Sequence, residues 1–247
     1  MDTLMKNQER WKPTKFEWRN GQLRGARNSA ELGIASRLVA DLVAKQYQSH
    51  LQANANGRLL DLGCGKVPLH EAYAPHVSEI ICVDWAPGMH IDLQCDLSKP
   101  LPFEDSRFDT IILSDVLEHI PEPHLLWIEM ARILAPGGKI IMNVPFYYVV
   151  HEHPHDYYRY TNFALERFVK LNQMTVVQMV AIGGVVEIIA DLFAKVTFKL
   201  PLIGRGMSIL IQSMAWKFGL TRLGSKVAGI SSRHFPFGYF LIAERAG

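Results

Sequence analysis

The residues with the clearest chemistry lie in a short glycine turn that follows an apolar run. Residues 58–62 are mostly apolar but contain Asp61, and the Gly-Cys-Gly turn of residues 63–65 follows directly. Glycine has no Cβ and tolerates positive φ, so the backbone of such a turn can approach a bound ligand closely. Asp84 ends a second apolar run about 20 residues later, the spacing at which an acid reaches a ribose diol in a doubly wound sheet.

The turn departs from the pattern that binds dinucleotides. In Gly-x-Gly-x-x-Gly, the third glycine position is occupied by Pro68, and Lys66 also departs from the tight helix start that binds a pyrophosphate. A ligand without phosphate therefore fits better than a nicotinamide cofactor, which stays an alternative. Downstream, the Asp96 carboxylate can accept a hydrogen bond from an adenine amine, and Leu97 with Trp85 can enclose a flat ring. Taken alone, Asp96 is equally typical of a turn.

A second polar cluster, residues 145–161, follows a predicted strand. It contains three histidines, two acids, one arginine and five tyrosines. Histidine titrates near neutral pH, so His151, His153 or His155 can act as a general base that Asp156 or Glu152 orients. The alternative is a rigid, hydrogen-bonded loop in which the histidines only pack and position.

Two further interpretations involve histidine. The pair Glu118-His119 is a competing base site, and its alternative is a helix start near a cofactor. The His-x-His-x-His run of residues 151–155 offers imidazoles to a metal. However, alternate residues of an extended segment point to opposite sides, and Pro154 stiffens the run. No metal site is therefore predicted.

The elements that must position these residues alternate between strand and helix. Apolar runs predict strands at 58–62, 80–83, 91–96, 110–113 and 139–144, with helices at 29–51, 70–74, 123–134 and 162–171. Strands that are apolar on both faces indicate a parallel sheet covered on both sides. Right-handed crossovers then give a doubly wound α/β sheet with ligands at the carboxyl ends of the strands.

The order of these motifs resembles the class I S-adenosylmethionine-dependent methyltransferases. The matching pieces are Leu60-Asp61-Leu62-Gly63-Cys64-Gly65, Val83-Asp84, Cys95-Asp96-Leu97, Leu101-Pro102-Phe103 with Phe108-Asp109, and residues 116–120 and 132–138. The resemblance implies a Rossmann-like, seven-stranded, mostly parallel sheet, closed by strands at 175–181 and 239–243. It also implies S-adenosylmethionine as the cofactor and S-adenosylhomocysteine as its product.

The same resemblance implies a set of cofactor-binding residues at the strand ends. They are Asp61, Gly63, Cys64 and Gly65 for the methionine part, Asp84 for the ribose hydroxyls, Asp96 and Leu97 for the adenine, and Ser114 beside the methyl donor; Trp85 completes the set as the residue that encloses the flat ring with Leu97.

Residues 151–159 are similar to a segment of relatives that methylate small molecules and cell-envelope polysaccharides, which implies a substrate loop. We expect O-methylation of a small-molecule, sugar or lipid-linked acceptor, because the loop offers bases. The candidate catalytic residues are His155, His151 and His119, and the candidate substrate residues are His153, Asp156, Tyr157, Tyr158 and Arg159. The alternatives are C- or N-methylation, and a non-catalytic cofactor-binding partner subunit.

The predicted organisation has four segments. They are an N-terminal arm and helix (1–57), a cofactor-binding core (58–181), a helical apolar and basic insertion (182–234) and the final strand of the sheet (235–247). In the arm, the aromatic and arginine side chains of residues 11–27 either pack on the domain or form a lid for an anionic substrate.

The predicted insertion combines apolar helices with an excess of basic residues. Helical periodicity predicts amphipathic helices at 185–200 and 207–220. Residues 192–234 include seven basic side chains and no acidic one. Three interpretations stay open: a helical cap or homodimer contact, an anionic membrane surface bound through 185–233, and a wall for an apolar or phosphorylated acceptor.

Composition bounds the remaining classes of function. The chain has 247 residues and a net charge of +2, so nucleic acid is not an expected partner. Three cysteines, an odd number, argue against a disulfide framework and for a reducing compartment. A polar start predicts no secretory signal, and no apolar run reaches the roughly 18 residues of a spanning helix. The expected location is the cytoplasm, with peripheral membrane contact left open.

Overall fold

The computed structural model describes residues 5–247, which form two compact units. The first unit comprises residues 5–12, 49–180 and 239–247, and the second comprises residues 13–48 and 181–238.

Nine strands and seven α-helices lie within residues 5–247. In chain order they are β1 (Phe16–Arg19), β2 (Gln22–Gly25), α1 (Arg37–Asn54), β3 (Arg58–Leu62), α2 (His70–Tyr73), β4 (Glu79–Asp84), β5 (Leu93–Gln94), β6 (Phe108–Ser114), α3 (Pro123–Ile133), β7 (Leu134–Pro145), α4 (Asn162–Leu171), β8 (Met174–Ile182), α5 (Val185–Phe198), α6 (Gly204–Gly219), α7 (Arg222–Ser231) and β9 (Gly238–Arg245). A short 3₁₀ turn, Leu117–His119, follows β6.

A seven-stranded sheet organises the first unit, in the order β5-β4-β3-β6-β7-β9-β8. Strand β3 pairs in parallel with both β4 and β6, and β5 and β7 continue the parallel pairing on either side. Because β4 and β6 lie on opposite sides of β3, the strand order reverses there, as at the ligand-binding point of a doubly wound sheet. The predicted α/β fold is confirmed, and the glycine turn lies at this reversal.

The central strands are buried on both faces, as their continuous apolar composition predicts. Leu60 of β3, Ile111 of β6 and Ile141 of β7 are fully buried. Helices α3 and α4 pack together in this unit through Trp127 and Phe168, whose rings stack with centroids 5.9 Å apart. The buried sheet is therefore a rigid support for the loops at its carboxyl edge.

The edge strand β5 is shorter than the predicted 91–96. The Asp92 carboxylate accepts a hydrogen bond from the Cys82 N–H at 2.8 Å, and Asp96 accepts one from the Ser98 N–H at 2.9 Å. Such side-chain bonds to nearby backbone compete with a strand ladder. Only Leu93–Gln94 pairs with β4.

The second unit contains a hairpin where the sequence predicts an extended arm. β1 and β2 pair antiparallel around Asn20 and Gly21, whose φ angles are 52° and 72°. Positive φ at both central positions suits a tight hairpin turn. Asp41 of α1 then accepts hydrogen bonds from the Arg24 side chain and the Gly25 N–H, both at 2.8 Å. This carboxylate fastens the hairpin to the helix.

The helices of the second unit agree with the predicted helical segments, with two differences. Helix α1 begins at Arg37, because residues 34–36 form a 3₁₀ turn. The Gln212 side chain of α6 fixes this region, accepting from the Leu38 N–H at 2.9 Å and donating to the Ile34 carbonyl at 2.8 Å. Helix α7 was not predicted, since glycine and serine conceal its periodicity. Within residues 5–247, no helix combines the length and apolarity needed to cross a bilayer.

Candidate active site

The glycine turn after β3 is bent tightly against the end of β4. The N–H groups of Gly63 and Cys64 both donate to the Val83 carbonyl, at 2.8 and 3.1 Å. Gly63 has φ +69°, and a Cβ there would lie 2.6 Å from a Val116 methyl group. Gly65 has φ +52°, and a Cβ there would meet nothing within 4 Å. The first glycine is required by packing, and the second leaves space for a ligand beside the backbone.

Asp61, the acid before the turn, is buried rather than solvated. Its side chain accepts a hydrogen bond from the Tyr73 hydroxyl at 2.9 Å. Burial raises the pKa of Asp61 to about 7, and the charge of Asp84 acts in the same direction. This carboxyl group can therefore exchange a proton near neutral pH.

Asp84 joins the turns that follow β3 and β4. One carboxylate oxygen accepts from the Gly65 N–H at 2.8 Å, and the other accepts from the Ala86 N–H at 3.0 Å. The neighbouring Trp85 is 66% exposed, and its ring centroid lies 5.4 Å from that of His155. Asp84 thus holds two loops at the carboxyl edge, and Trp85 reaches from there to the histidine-rich loop.

Asp96 and Leu97 lie in the turn after β5. Besides the Ser98 N–H, the Ser98 hydroxyl donates to the same Asp96 oxygen. These Ser98 hydrogen bonds lower the pKa of Asp96, so the carboxylate is ionised at neutral pH. Leu97 is buried, at 6% exposure. The pair offers one ionised acceptor and one apolar surface.

The thiol in the glycine turn is not an activated nucleophile. A hydrogen bond with Cys82, together with burial, raises the pKa of Cys64. A protonated thiol is a poor nucleophile, so Cys64 contributes its backbone and its volume.

A polar chain at the ends of β6 and β7 joins Ser114 to Asn143 and Asp115, two residues that sequence reasoning missed. The Ser114 hydroxyl donates to the Asn143 amide oxygen at 2.9 Å, and the Asn143 amide nitrogen donates to the Asp115 carboxylate at 2.5 Å. Asp115 has φ +52°, an uncommon conformation for a residue other than glycine. A polar residue at the end of each apolar strand is the signal that points to this pair.

Asp156 is the centre of the histidine-rich loop. Arg159 binds both of its carboxylate oxygens, at 2.5 and 2.7 Å, and the His151 N–H donates to it at 2.9 Å. The Arg159 hydrogen bonds in particular hold the pKa of Asp156 well below its usual range. Asp156 and Arg159 therefore fix the shape of the loop through a permanent ion pair.

The loop is also fastened to the segment after β6. The N–H groups of Tyr157 and Tyr158 donate to the Glu118 carbonyl, at 2.9 and 3.3 Å. The Tyr158 hydroxyl donates to the Pro121 carbonyl at 2.8 Å, and the Tyr160 hydroxyl donates to the Leu117 carbonyl at 3.1 Å. These contacts bring the two candidate base regions together.

Three titratable side chains meet where the two segments touch. The fully buried Glu118 carboxylate lies 3.7 Å from His119 Nε2 and 3.9 Å from His151 Nε2. Burial, opposed by the Asp156 charge, lowers the pKa of His151 and favours its neutral form. His155 lies to one side, with its Nδ1 3.2 Å from the Tyr157 hydroxyl. His153 is exposed and lies outside this group.

Residues 5–12 of the first unit lie across the loops near the glycine turn. The Trp11 indole N–H donates to the Val67 carbonyl at 3.1 Å, and its ring packs edge-on against His70. The Lys6 side chain donates to the Ile91 carbonyl at 3.0 Å. These eight residues therefore border the same edge of the sheet.

Comparison with known proteins agrees with this geometry. A family model described as a methyltransferase domain matches residues 60–142. The ubiquinone biosynthesis O-methyltransferase of Xanthomonas euvesicatoria is 30% identical over 115 residues, which are 41% of this chain and 48% of that protein. The demethylmenaquinone methyltransferase of Renibacterium salmoninarum is 30% identical over 115 residues, 43% and 45% of the respective chains. The chain spans about half the length of these curated relatives.

A solved structure extends the likeness of the fold. An S-adenosylmethionine-dependent methyltransferase from Mesorhizobium loti superposes with a TM-score of 0.54 and 14% identity. The match covers 84% of this chain and 100% of the other chain. At this identity the likeness concerns the fold alone.

Proposed function

We propose that this chain is a class I S-adenosylmethionine-dependent methyltransferase and that it methylates an oxygen atom of a small-molecule, sugar or lipid-linked acceptor. The observation that carries the proposal is the convergence of three features at one edge of the sheet. The glycine turn is closed by Asp84, Trp85 contacts His155, and the histidine-rich loop is bound to the segment after β6. The proposed donor site at the glycine turn and the proposed acceptor loop therefore lie next to each other.

The residues around the turn fit the cofactor. Gly65 leaves open space beside its backbone, where the methionine part would lie near Asp61, Gly63 and Cys64. Asp84 would bind the ribose hydroxyls, and Trp85 would enclose the flat adenine ring together with Leu97. The ionised Asp96 and the apolar Leu97 would hold the adenine, and Ser114 would lie beside the methyl donor. When bound, S-adenosylmethionine supplies an activated methyl group on a sulfonium, so the protein mainly provides alignment.

An oxygen acceptor needs a proton acceptor, and the histidine-rich loop offers one. We favour His155 as the base, because its ring contacts Trp85 next to the proposed ribose acid. His151 and His119 are the alternative bases, and both turn Nε2 toward Glu118. His153, Tyr157 and Tyr158 would contact the acceptor, while Asp156 and Arg159 keep the loop in shape.

The names of the relatives support a small acceptor with an apolar part. Two of them are methyltransferases of ubiquinone biosynthesis and of demethylmenaquinone.

The second unit also favours a peripheral contact with an anionic membrane. Helices α5 to α7 and the turn between α5 and α6 expose large apolar side chains, among them Phe193, Leu202, Leu210 and Leu223. The exposed charged side chains from residue 192 to residue 233 are all basic. Apolar and basic groups on one set of helices are typical of proteins that bind the interface of anionic lipids.

Vesicle sedimentation tests the membrane contact. Binding to phosphatidylglycerol vesicles at low salt, weakened at high salt and absent on phosphatidylcholine, is expected. No binding at either salt concentration would remove this contact and favour a homodimer interface, which light scattering would detect. Lys217→Glu with Arg222→Glu reverses two exposed charges and should reduce sedimentation strongly.

Calorimetry with product analysis tests the methyltransferase activity. We expect binding of S-adenosylmethionine and S-adenosylhomocysteine, no binding of NAD, and formation of S-adenosylhomocysteine with a phenol, sugar or lipid extract as acceptor. Binding of NAD without S-adenosylmethionine would overturn the proposal. Cofactor binding with no turnover on any extract would instead indicate a non-catalytic partner subunit. Mass spectrometry of the product would distinguish O-methylation from C- or N-methylation.

A further inference from the structure

The group formed by Glu118, His119 and His151 has the composition of a metal site. One ligand atom from each of the three side chains lies within 4.8 Å of the other two. Glu118 and His119 come from the 3₁₀ turn after β6, and His151 comes from the loop after β7. The group is thus assembled from two loops at the carboxyl edge, which hydrogen bonds of the backbone hold together.

The hydrogen bonds of the imidazoles determine which nitrogen carries a proton. His119 Nδ1 lies 2.8 Å from the His155 carbonyl oxygen. His151 Nδ1 lies 3.2 Å from the Val149 carbonyl oxygen and 3.3 Å from an Asp156 carboxylate oxygen. These oxygens can only accept, so each Nδ1 is the donor and carries the hydrogen. In the neutral rings, each Nε2 atom then carries a lone pair and no hydrogen.

Both of these lone pairs are directed toward a carboxylate. Nε2 of His119 and Nε2 of His151 lie 3.7 and 3.9 Å from the same Glu118 oxygen. A lone pair facing an anion is unfavourable in a buried site. The centroids of the two rings are 4.8 Å apart, so both lone pairs face the same small space. A cation between the three atoms would be ligated by both lone pairs and by the carboxylate.

We propose that Glu118, His119 and His151 bind a divalent transition-metal ion of the kind that prefers imidazole with carboxylate, such as Zn²⁺, Co²⁺ or Mn²⁺. Metal-bound histidines usually donate their second nitrogen to a carbonyl or carboxylate, which is the arrangement of His119 and His151. Arg159 is the nearby cation, and its charge is matched by its two hydrogen bonds with Asp156.

The geometry requires a small closure of the group. Zinc bonds of about 2.0–2.1 Å place tetrahedral ligand atoms about 3.3 Å apart. The separations of 3.7 and 3.9 Å would therefore shorten by roughly half an ångström, and the remaining pair of ligand atoms, which lies within 4.8 Å, would close by up to about 1.5 Å. Rotation of the Glu118 and imidazole side chains can provide this movement without a change in the backbone.

Three protein ligands leave at least one coordination position open. An acceptor hydroxyl bound there would have a lowered pKa and would lose its proton to His155 or to solvent. This role of the ion rests on the proposed function, whereas binding of the ion does not.

Metal titration of untagged, chelator-stripped full-length chain tests the site. We expect Zn²⁺ to bind with one ion per chain by calorimetry, and Co²⁺ to give visible absorption bands of nitrogen and oxygen ligation. His119→Gln and His151→Gln should each weaken Zn²⁺ binding by about tenfold or more, as expected for loss of one ligand. His153→Gln, in the same loop but outside the group, is the control and should bind as the parent does.

Either of two results would overturn the site: no stoichiometric Zn²⁺ binding, or the same loss in His153→Gln as in His151→Gln. X-ray absorption at the zinc edge of the unmutated chain gives a second measurement, which does not depend on the folding of any variant. Scattering from two imidazoles is expected, and its absence would refute the assignment. Calorimetry with S-adenosylmethionine is independent of these results, so failure of the metal site and failure of the proposed function can be told apart.

Discussion

Replacement of Asp84 by asparagine separates its structural role from its proposed role in binding the cofactor. The carboxylate accepts the Gly65 and Ala86 N–H groups at 2.8 and 3.0 Å, so it holds two loops even without a ligand. A loss of fold stability alone would therefore be no evidence for a ribose contact. The proposed contact predicts an additional loss, measured as cofactor affinity.

The magnitude follows from the charge. A hydrogen bond to an ionised group contributes about 1.5–3 kcal/mol, and about 1.4 kcal/mol corresponds to tenfold in affinity. Asp84→Asn should therefore raise the dissociation constant for S-adenosylmethionine about 10- to 150-fold. Calorimetry at a temperature well below unfolding measures this change directly.

Asp92 provides a matched control. Its carboxylate accepts the Cys82 N–H at 2.8 Å, the same distance as between Asp84 and Gly65, but the proposed cofactor contacts do not include it. Asp92→Asn should lower the thermal midpoint while leaving the affinity for S-adenosylmethionine near that of the parent. Equal affinity in Asp84→Asn and the parent, or an equal loss in both variants, would refute the ribose assignment.

Three further predictions concern neighbouring residues. Gly63→Ala should lower the thermal midpoint more than Gly65→Ala. At both positions alanine adds the left-handed backbone strain of about 1–2 kcal/mol, but at Gly63 its Cβ also lies 2.6 Å from a Val116 methyl group. A larger loss of stability for Gly65→Ala would contradict this packing. Asp61 binds a proton more tightly in the folded chain than in the unfolded one, so stability should fall as pH rises from about 4 toward its folded pKa of about 7. Denaturant titration without cofactor should find that Asp61→Asn lacks this fall, and identical pH profiles would argue against the raised pKa. His155→Ala should lower turnover by about 100-fold or more while leaving the affinity for the cofactor nearly unchanged. The control, His124→Ala on an exposed helix face, should change neither turnover nor affinity. Unchanged turnover in His155→Ala would exclude His155 as the base.

The placement of the residues that we propose for the cofactor could be predicted from the sequence, because these residues come at strand ends. Parallel strands bring their carboxyl ends to one edge, so Asp61, Asp84 and Asp96 are expected near each other without any knowledge of packing. The edge strand after Asp84 was predicted too long. Apolar residues there resemble a strand, but side-chain bonds of Asp92 to the backbone end the ladder early.

The acceptor side could not be predicted to the same degree, because its contacts join segments that are distant in sequence. The alternation rule argues against three metal ligands within residues 151–155, whereas the proposed cluster takes one histidine from that run and two residues from 118–119. The hydrogen-bonded pair of Asp115 and Asn143 depends in the same way on the neighbouring positions of β6 and β7. Local periodicity carries no information on such pairs.

The hydrogen bonds that hold the proposed cofactor side and the histidine-rich loop indicate how the choice of acceptor can vary while the proposed cofactor site stays fixed. Asp84 closes the cofactor side by hydrogen bonds to backbone N–H groups, and Tyr157 and Tyr158 attach the loop through their own N–H groups to the Glu118 carbonyl. Because these attachments use the backbone, exposed side chains such as His153 can change without moving either loop. Asp156 is the exception, since its carboxylate orients both His151 and Arg159. Acceptor specificity should therefore reside in the exposed side chains of the loop, and loss of Asp156 should affect every acceptor alike.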